Sequence, residues 1–165
     1  MVEHLLDLSG IGRERLCLKW VSAAEGGVFA DYVTQFSEKT RKLGPFDPEQ
    51  FEEELAAIEK ALSTPRLRLL MGAELQITER GNVYDEKLGE EEYHHLLIEV
   101  SEEEYQGALI LNTMREGPKS VREIAFNTGL PVYTISLRLG ELERRHQAGL
   151  ESFYGTTPRY VSLDC

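Results

Sequence analysis

The sequence predicts a mainly helical α+β protein in three parts: a helix–strand–helix piece over 1–45, an acidic helical connector over 46–100, and helices closed by a hairpin over 101–165. Three observations predict it. Apolar residues recur three and four apart along most of the chain, the spacing of one helix face. Start signals precede these stripes, and Gly or Gly-Pro ends them. The last fifteen or so residues hold two short β-rich runs around Gly155-Thr156-Thr157-Pro158, the pattern of a two-stranded ribbon.

The first element is a short amphipathic helix carrying Leu5, Leu6 and Leu8 and stopped by Gly10. Leu16-Cys17-Leu18-Lys19-Trp20-Val21 is mostly apolar on both faces, as a strand buried in a covered sheet would be. Ser22-Ala23-Ala24-Glu25 then reads as a capping box, with Ser22, Glu25 and Gly26 fixing the strand-to-helix junction. The helix it opens sets Phe29, Val33, Phe36, Thr40 and Leu43 on one stripe. It ends at Gly44-Pro45 after a basic last turn. A lone strand has no sheet to join, and that deficit asks for an explanation.

Asp47-Pro48 starts a helix with Phe51, Leu55, Ile58 and Leu62 inward, and Thr64-Pro65 starts another with Leu67, Leu70, Met71 and Leu75. Arg80-Gly81-Asn82 breaks the pattern, and a further helix is expected from Glu90 to about Val100. Ser101-Glu102-Glu103-Glu104 reads as the cap of the next helix, ended by Gly117-Pro118. Ser120-Val121-Arg122-Glu123 caps a short one turned by Gly129, and Val132–His146 forms a longer one. Three helices and a hairpin, with a Gly-containing turn between the second and third helix, is the winged helix-turn-helix arrangement.

The chain carries a formal charge of -11, and its distribution narrows function. Residues 1–44 balance six basic against six acidic side chains. Residues 45–100 hold five against fourteen, and residues 101–165 seven against nine. Phosphate attraction supplies most of the affinity in nucleic-acid binding, so this sign disfavours a DNA surface even though winged helices often bind DNA. Were nucleic acid or a partner protein read by the third helix, Tyr133, Thr134, Ser136 and Arg138 near its start, with Arg144 and Arg145 later, would make the contact. No apolar run approaches the roughly 20 residues of a membrane span, and two cysteines without a signal peptide fit a reducing cytoplasm.

Signals for chemistry are weak. Cys17 and Cys165 are far apart, and the adjacent His94 and His95 would point about 100° apart on a helix, so no metal ligand set is expected. Gly10-Ile11-Gly12 opens like a dinucleotide fingerprint, but Arg15 holds its last position and a strand pattern follows. Gly26-Gly27 stands at a helix start, where close packing is the expected use. No catalytic, cofactor-binding or metal-binding residue is assigned.

One stretch carries more. Leu5-Leu6, Gly10-Ile11-Gly12-Arg13-Glu14-Arg15-Leu16, Trp20-Val21-Ser22-Ala23-Ala24-Glu25-Gly26, Phe29, Phe36 and Leu43-Gly44-Pro45 together resemble the C-terminal end of the delta subunit of methyl-viologen-reducing hydrogenase. In that family the subunit carries a two-iron iron–sulfur cluster. It passes electrons between a hydrogenase or formate dehydrogenase and heterodisulfide reductase, whose A-type subunit is a flavoprotein. The family's cysteines lie upstream of the segment equivalent to Val2, so the resemblance implies a cluster only for that upstream part and none in this chain. It also implies that the sheet partners of Leu16–Val21 belong there, and that this chain is the C-terminal piece of a longer delta-type subunit, with a winged-helix extension. The function so implied is a non-redox docking portion of an electron-transfer complex, in which homo-oligomers also have a place. The alternative is a winged-helix transcriptional regulator.

Overall fold

A computed structural model describes residues 1–163. Seven α-helices and one hairpin are formed among the described residues: α1 (Val2–Leu8), α2 (Gly26–Leu43), α3 (Glu52–Ser63), α4 (Pro65–Gly72), α5 (Glu90–Thr113), α6 (Val121–Thr128), α7 (Val132–Arg144), β1 (Ala148–Tyr154) and β2 (Thr157–Ser162). The mainly helical α+β expectation holds. The chain divides into two units, Val2–Glu52 and the remainder from Glu53 onward.

In the first unit, α1 ends in a tight turn where Gly10 and Gly12 take φ of 76° and 88°, values that L side chains avoid. Asp7 fixes that turn by accepting from the Arg13 backbone amide at 2.8 Å and by pairing with its guanidinium. Arg15 reaches the end of α2, donating to the Gly44 carbonyl at 3.3 Å, where a helix leaves its last carbonyls unpaired. The same guanidinium lies 5.2 Å from the centroid of the Phe46 ring, which stacks on Phe51. The strand expected over Leu16–Val21 is not formed. The segment is outside any ladder, because the one sheet among the described residues is the β1–β2 pair.

The second unit follows its start signals closely at first. Thr64 accepts from the Leu67 amide at 3.4 Å and Pro65 takes the first turn of α4, as its sequence signals. The Tyr93 hydroxyl of α5 donates to the Leu70 carbonyl at 3.0 Å and holds α4 against α5. The expected break at Val100–Ser101 does not occur: α5 runs 24 residues without interruption. Ser101 is buried and turns its hydroxyl back to the Ile98 carbonyl at 2.7 Å, a bond that satisfies it inside a helix instead of starting one.

Beyond α5 the predicted order is kept. Ser120 and Glu123 form a reciprocal cap for α6, with 2.8 Å from the Ser120 amide to Glu123 and 3.3 Å from the Glu123 amide to Ser120. Gly129 turns the chain left-handed at φ 70° before α7. The hairpin pairs Ala148 with Ser162 and Tyr154 with Thr157, with a bulge between Leu150 and Ser152. Pro158 therefore lies within β2 and not in the turn. Lys119 exchanges both backbone bonds with Tyr160, at 2.9 and 2.8 Å, so the chain just before α6 adds one isolated bridge to β2. Ile110, Leu111, Met114, Ile124, Ile135, Leu139, Leu142 and Ala148 form the core beneath it.

A network of charges binds α4, α5 and α7. Glu103 takes Arg66 at 2.6 Å and Arg138 at 3.0 Å, while Glu104 takes Arg66 at 3.4 Å and Arg145 at 2.9 and 3.1 Å. Arg138 further bonds Glu141 at 2.6 Å and donates to Gln106 at 3.0 Å. Glu104 is the most buried member, its side chain 4% exposed. Removing its closest cation leaves a buried carboxylate underpaired. We expect Arg145→Ala to cost about 2 kcal/mol in urea denaturation. Its neighbour Arg144 is exposed and bonds only the Gly140 carbonyl, so Arg144→Ala should stay within about 0.5 kcal/mol.

Acid stability has a separate marker. The Ser120 hydroxyl and amide, together with Arg159, hold the Glu123 carboxyl down at about 2, against an ordinary 4.5. A depressed carboxylate contributes stability above its unfolded value and loses it as pH falls toward the folded one. Between those two values Glu123→Gln should flatten the decline of the unfolding midpoint with pH; a decline identical to that of the parent chain would contradict this.

Candidate functional site

The clearest unsatisfied feature is the extended segment after the turn at Arg13–Arg15. Leu16 enters it with extended dihedrals, φ -114° and ψ 139°. Among the described residues no backbone hydrogen bond is made by residues 17–21, a row of free amides and carbonyls of the kind that pairs with another strand. Residues 16–20 are all exposed. Leu18 is 72% and Trp20 91% exposed, an arrangement that is costly in water and common at interfaces. Leu16, Cys17, Leu18 and Lys19 border a groove against Tyr32 and Phe36 of α2, and the Lys19 ammonium lies 5.8 Å from the Tyr32 ring centroid. Phe29 and Val33 of the expected α2 stripe are also exposed.

The junction at Ser22, Glu25 and Gly26 is half of the box the sequence announces. Glu25 does reach back, accepting from the Ser22 amide at 3.1 Å. The Ser22 hydroxyl instead takes the Ala24 amide at 3.4 Å, and α2 begins only at Gly26 with Glu25 as its cap. The cause is local: the turn closes one residue tighter, with the Glu25 amide on the Ser22 carbonyl at 2.9 Å. Nothing lies within 4 Å of a side-chain carbon built on Gly26 or Gly27, so the close packing expected of them is not used within this chain.

The residues nominated on α7 separate into two sets. Tyr133 is 78% exposed, Ser136 and Arg144 are exposed, and Thr134 is half-buried. Arg138 is only 9% exposed, and Arg145, whose side chain is 38% exposed, pairs with Glu104, so both take part in the internal network. Sequence spacing could not signal this, because Gln106 and Glu104, their partners on α5, stand 32 and 41 residues away and are reached only through the fold. The outer face of α7 thereby loses cations and keeps an aromatic and apolar character, with Leu137 and Val132 also exposed.

Among the described residues no three His, Cys, Asp or Glu side chains gather around a common point. Cys17 is exposed with a free thiol, and Cys165 lies outside the described residues. An iron–sulfur cluster needs several thiolates, so the residues present do not fit one. Glycines 10 and 12 form the turn of the first unit, with the Gly12 amide bonded to the Leu6 carbonyl at 2.9 Å, instead of a phosphate cradle. Among the described residues no helix is long and apolar enough to cross a membrane.

Comparison with known proteins falls on the same stretch as the unpaired segment. Residues 1–44 match the family described as methyl-viologen-reducing hydrogenase, delta subunit. A 46-residue stretch is 46% identical to an iron–sulfur subunit of the F420-non-reducing hydrogenase of Archaeoglobus profundus, covering 28% of this chain and 34% of that protein. The chain thus spans about a third of the length of the curated relative it matches. No solved structure matches it. The first 44 residues, with their turn, extended segment and helix, are therefore similar to the delta subunit of methyl-viologen-reducing hydrogenase.

Proposed function

We propose that this chain is a non-redox docking component of a hydrogenase-associated complex, in which residues 1–44 pair with a cluster-bearing α/β segment. The observation that carries the reading is the coincidence of two features in one stretch: the delta-subunit match and an apolar extended segment with no ladder partner. A strand that is mostly apolar on both faces is the pattern of a covered sheet, and the relative it resembles is an iron–sulfur subunit. In its finer form the proposal joins a hydrogenase or formate dehydrogenase to the A-type flavoprotein of heterodisulfide reductase. The elements from α5 to β2 act as a winged helix that docks protein. The consumption of Arg138 and Arg145 by internal carboxylates supports protein over nucleic acid as what that part meets.

Trp20 is the sole tryptophan and reports on its own surroundings. When the purified chain is mixed with the cysteine-rich part of a delta-type subunit, its emission should move to the blue, and the amides of residues 17–21 should exchange at least tenfold more slowly. Trp20→Ala, which takes nothing from the interior, should weaken that association at least tenfold while leaving the fold intact by circular dichroism. Unchanged emission and exchange at saturating partner would sink the proposal.

A further inference from the structure

We infer that α7 is a self-association surface, on which two copies of this chain pair their α7 helices antiparallel about a two-fold axis between residues 138 and 139. The inference concerns the second unit and stands independently of the reading given to residues 1–44. Along the solvent side of α7 run Tyr133, Leu137, Gly140 and Arg144, spaced four, three and four apart. That is the spacing of a helix–helix seam. The opposite side is occupied by the buried Ile135, Arg138, Leu139 and Leu142.

Gly140 is the informative member. A glycine inside a helix costs roughly 1 kcal/mol relative to alanine, and packing inside this chain gives no reason for it. A side-chain carbon there would meet nothing within 4 Å, whereas one at Gly107 would touch Leu142 at 3.6 Å. Gly107 is thus explained by the interior and Gly140 is not. What Gly140 provides is a shallow notch beside Leu137, which is 43% exposed.

The stripe is complementary to itself. In an antiparallel pair, positions equidistant from the midpoint face one another. Leu137 of one copy then meets the notch at Gly140 of the other, and the Tyr133 ring meets the Arg144 guanidinium, a cation–π contact. Each contact occurs twice, as an isologous interface demands. No carboxylate stands on the stripe, which matters for a chain of charge -11 that repels its own kind elsewhere. Phe126 of α6, which is 90% exposed, and Val132 at the start of α7 are further exposed apolar side chains of this unit. Nucleic acid fits the face less well, since Arg138 is buried and both Arg138 and Arg145 are paired with carboxylates.

A 13-residue helix is about 20 Å long, so the buried area falls below that of a standard interface and the dimer should be weak, on the order of micromolar. Sedimentation equilibrium of the full chain from about 1 to about 200 µM brackets that range. The expected result is a mass rising from 18.8 kDa toward twice that value. Gly140→Leu fills the notch, improves helix propensity and meets open space in the monomer, so it should keep the fold and weaken association at least tenfold. Tyr133→Arg should do the same by opposing two cations. Combined with Arg144→Tyr, it restores the ring-to-cation pairing and should recover most of the affinity. A chain that stays monomeric overturns the inference, as does a dimer that Gly140→Leu leaves intact. Binding of a short DNA duplex through Tyr133 in place of the second copy overturns it as well.

Discussion

Two adjacent glutamates on one helix cannot leave water without cations, and Glu103 and Glu104 recruit three of them from two other helices. Burial alone pushes the Glu103 carboxyl up, but Arg66 and Arg138 outweigh it and hold it below the usual range. Because Arg66 contacts both carboxylates, the network couples α4 and α7 through α5 instead of pinning them separately. Ion pairs of this kind are weak sources of net stability compared with apolar packing. Their force lies in geometry: a charge taken from water tolerates few arrangements, so the helices are held in one register above the core of Ile110, Ile135 and Leu139.

The same network decides what the molecular surface can offer. The guanidiniums of Arg138 and Arg145 pair with Glu103, Glu104 and Glu141, and the exposed residues of α7 are Val132, Tyr133, Ser136, Leu137, Glu143 and Arg144. A face of that composition gains little from phosphate and much from apolar contact. The chemistry that α7 offers to solvent therefore follows in part from an internal electrostatic requirement of α5.

How much of this the sequence disclosed depends on the range of the interaction involved. Caps and turns were legible, because their chemistry closes within a few residues: Thr64 with Leu67, Ser120 with Glu123, and Gly129 at its left-handed position. Two start signals misled. Ser101 followed by three glutamates has the composition of a cap, yet a serine inside a helix can bond the carbonyl three residues back, and burial of that face by tertiary packing decided for continuity. At Ser22 the turn closed one residue early, so only the Glu25 half of the box survived. The long-range pairs were illegible in principle: nothing at Arg138 or Arg145 announces a carboxylate on α5. The residues quoted for the delta-subunit resemblance, by contrast, all but Pro45 fall within the matched stretch.

The two β-rich parts of the chain face one physical problem and meet it differently. A strand is stable only when its amides and carbonyls find a neighbour. Residues 148–162 carry their neighbour with them across a two-residue turn, and Lys119 adds an isolated bridge at Tyr160. Residues 16–21 are richer in apolar side chains but are followed by a helix, and α2 borders only part of them. Pairing within a hairpin is a local event, whereas a strand followed by a helix belongs to a parallel-type sheet whose neighbours lie far away in sequence or in another chain. One ribbon is therefore complete within the described residues, while the other segment leaves Leu18 and Trp20 exposed.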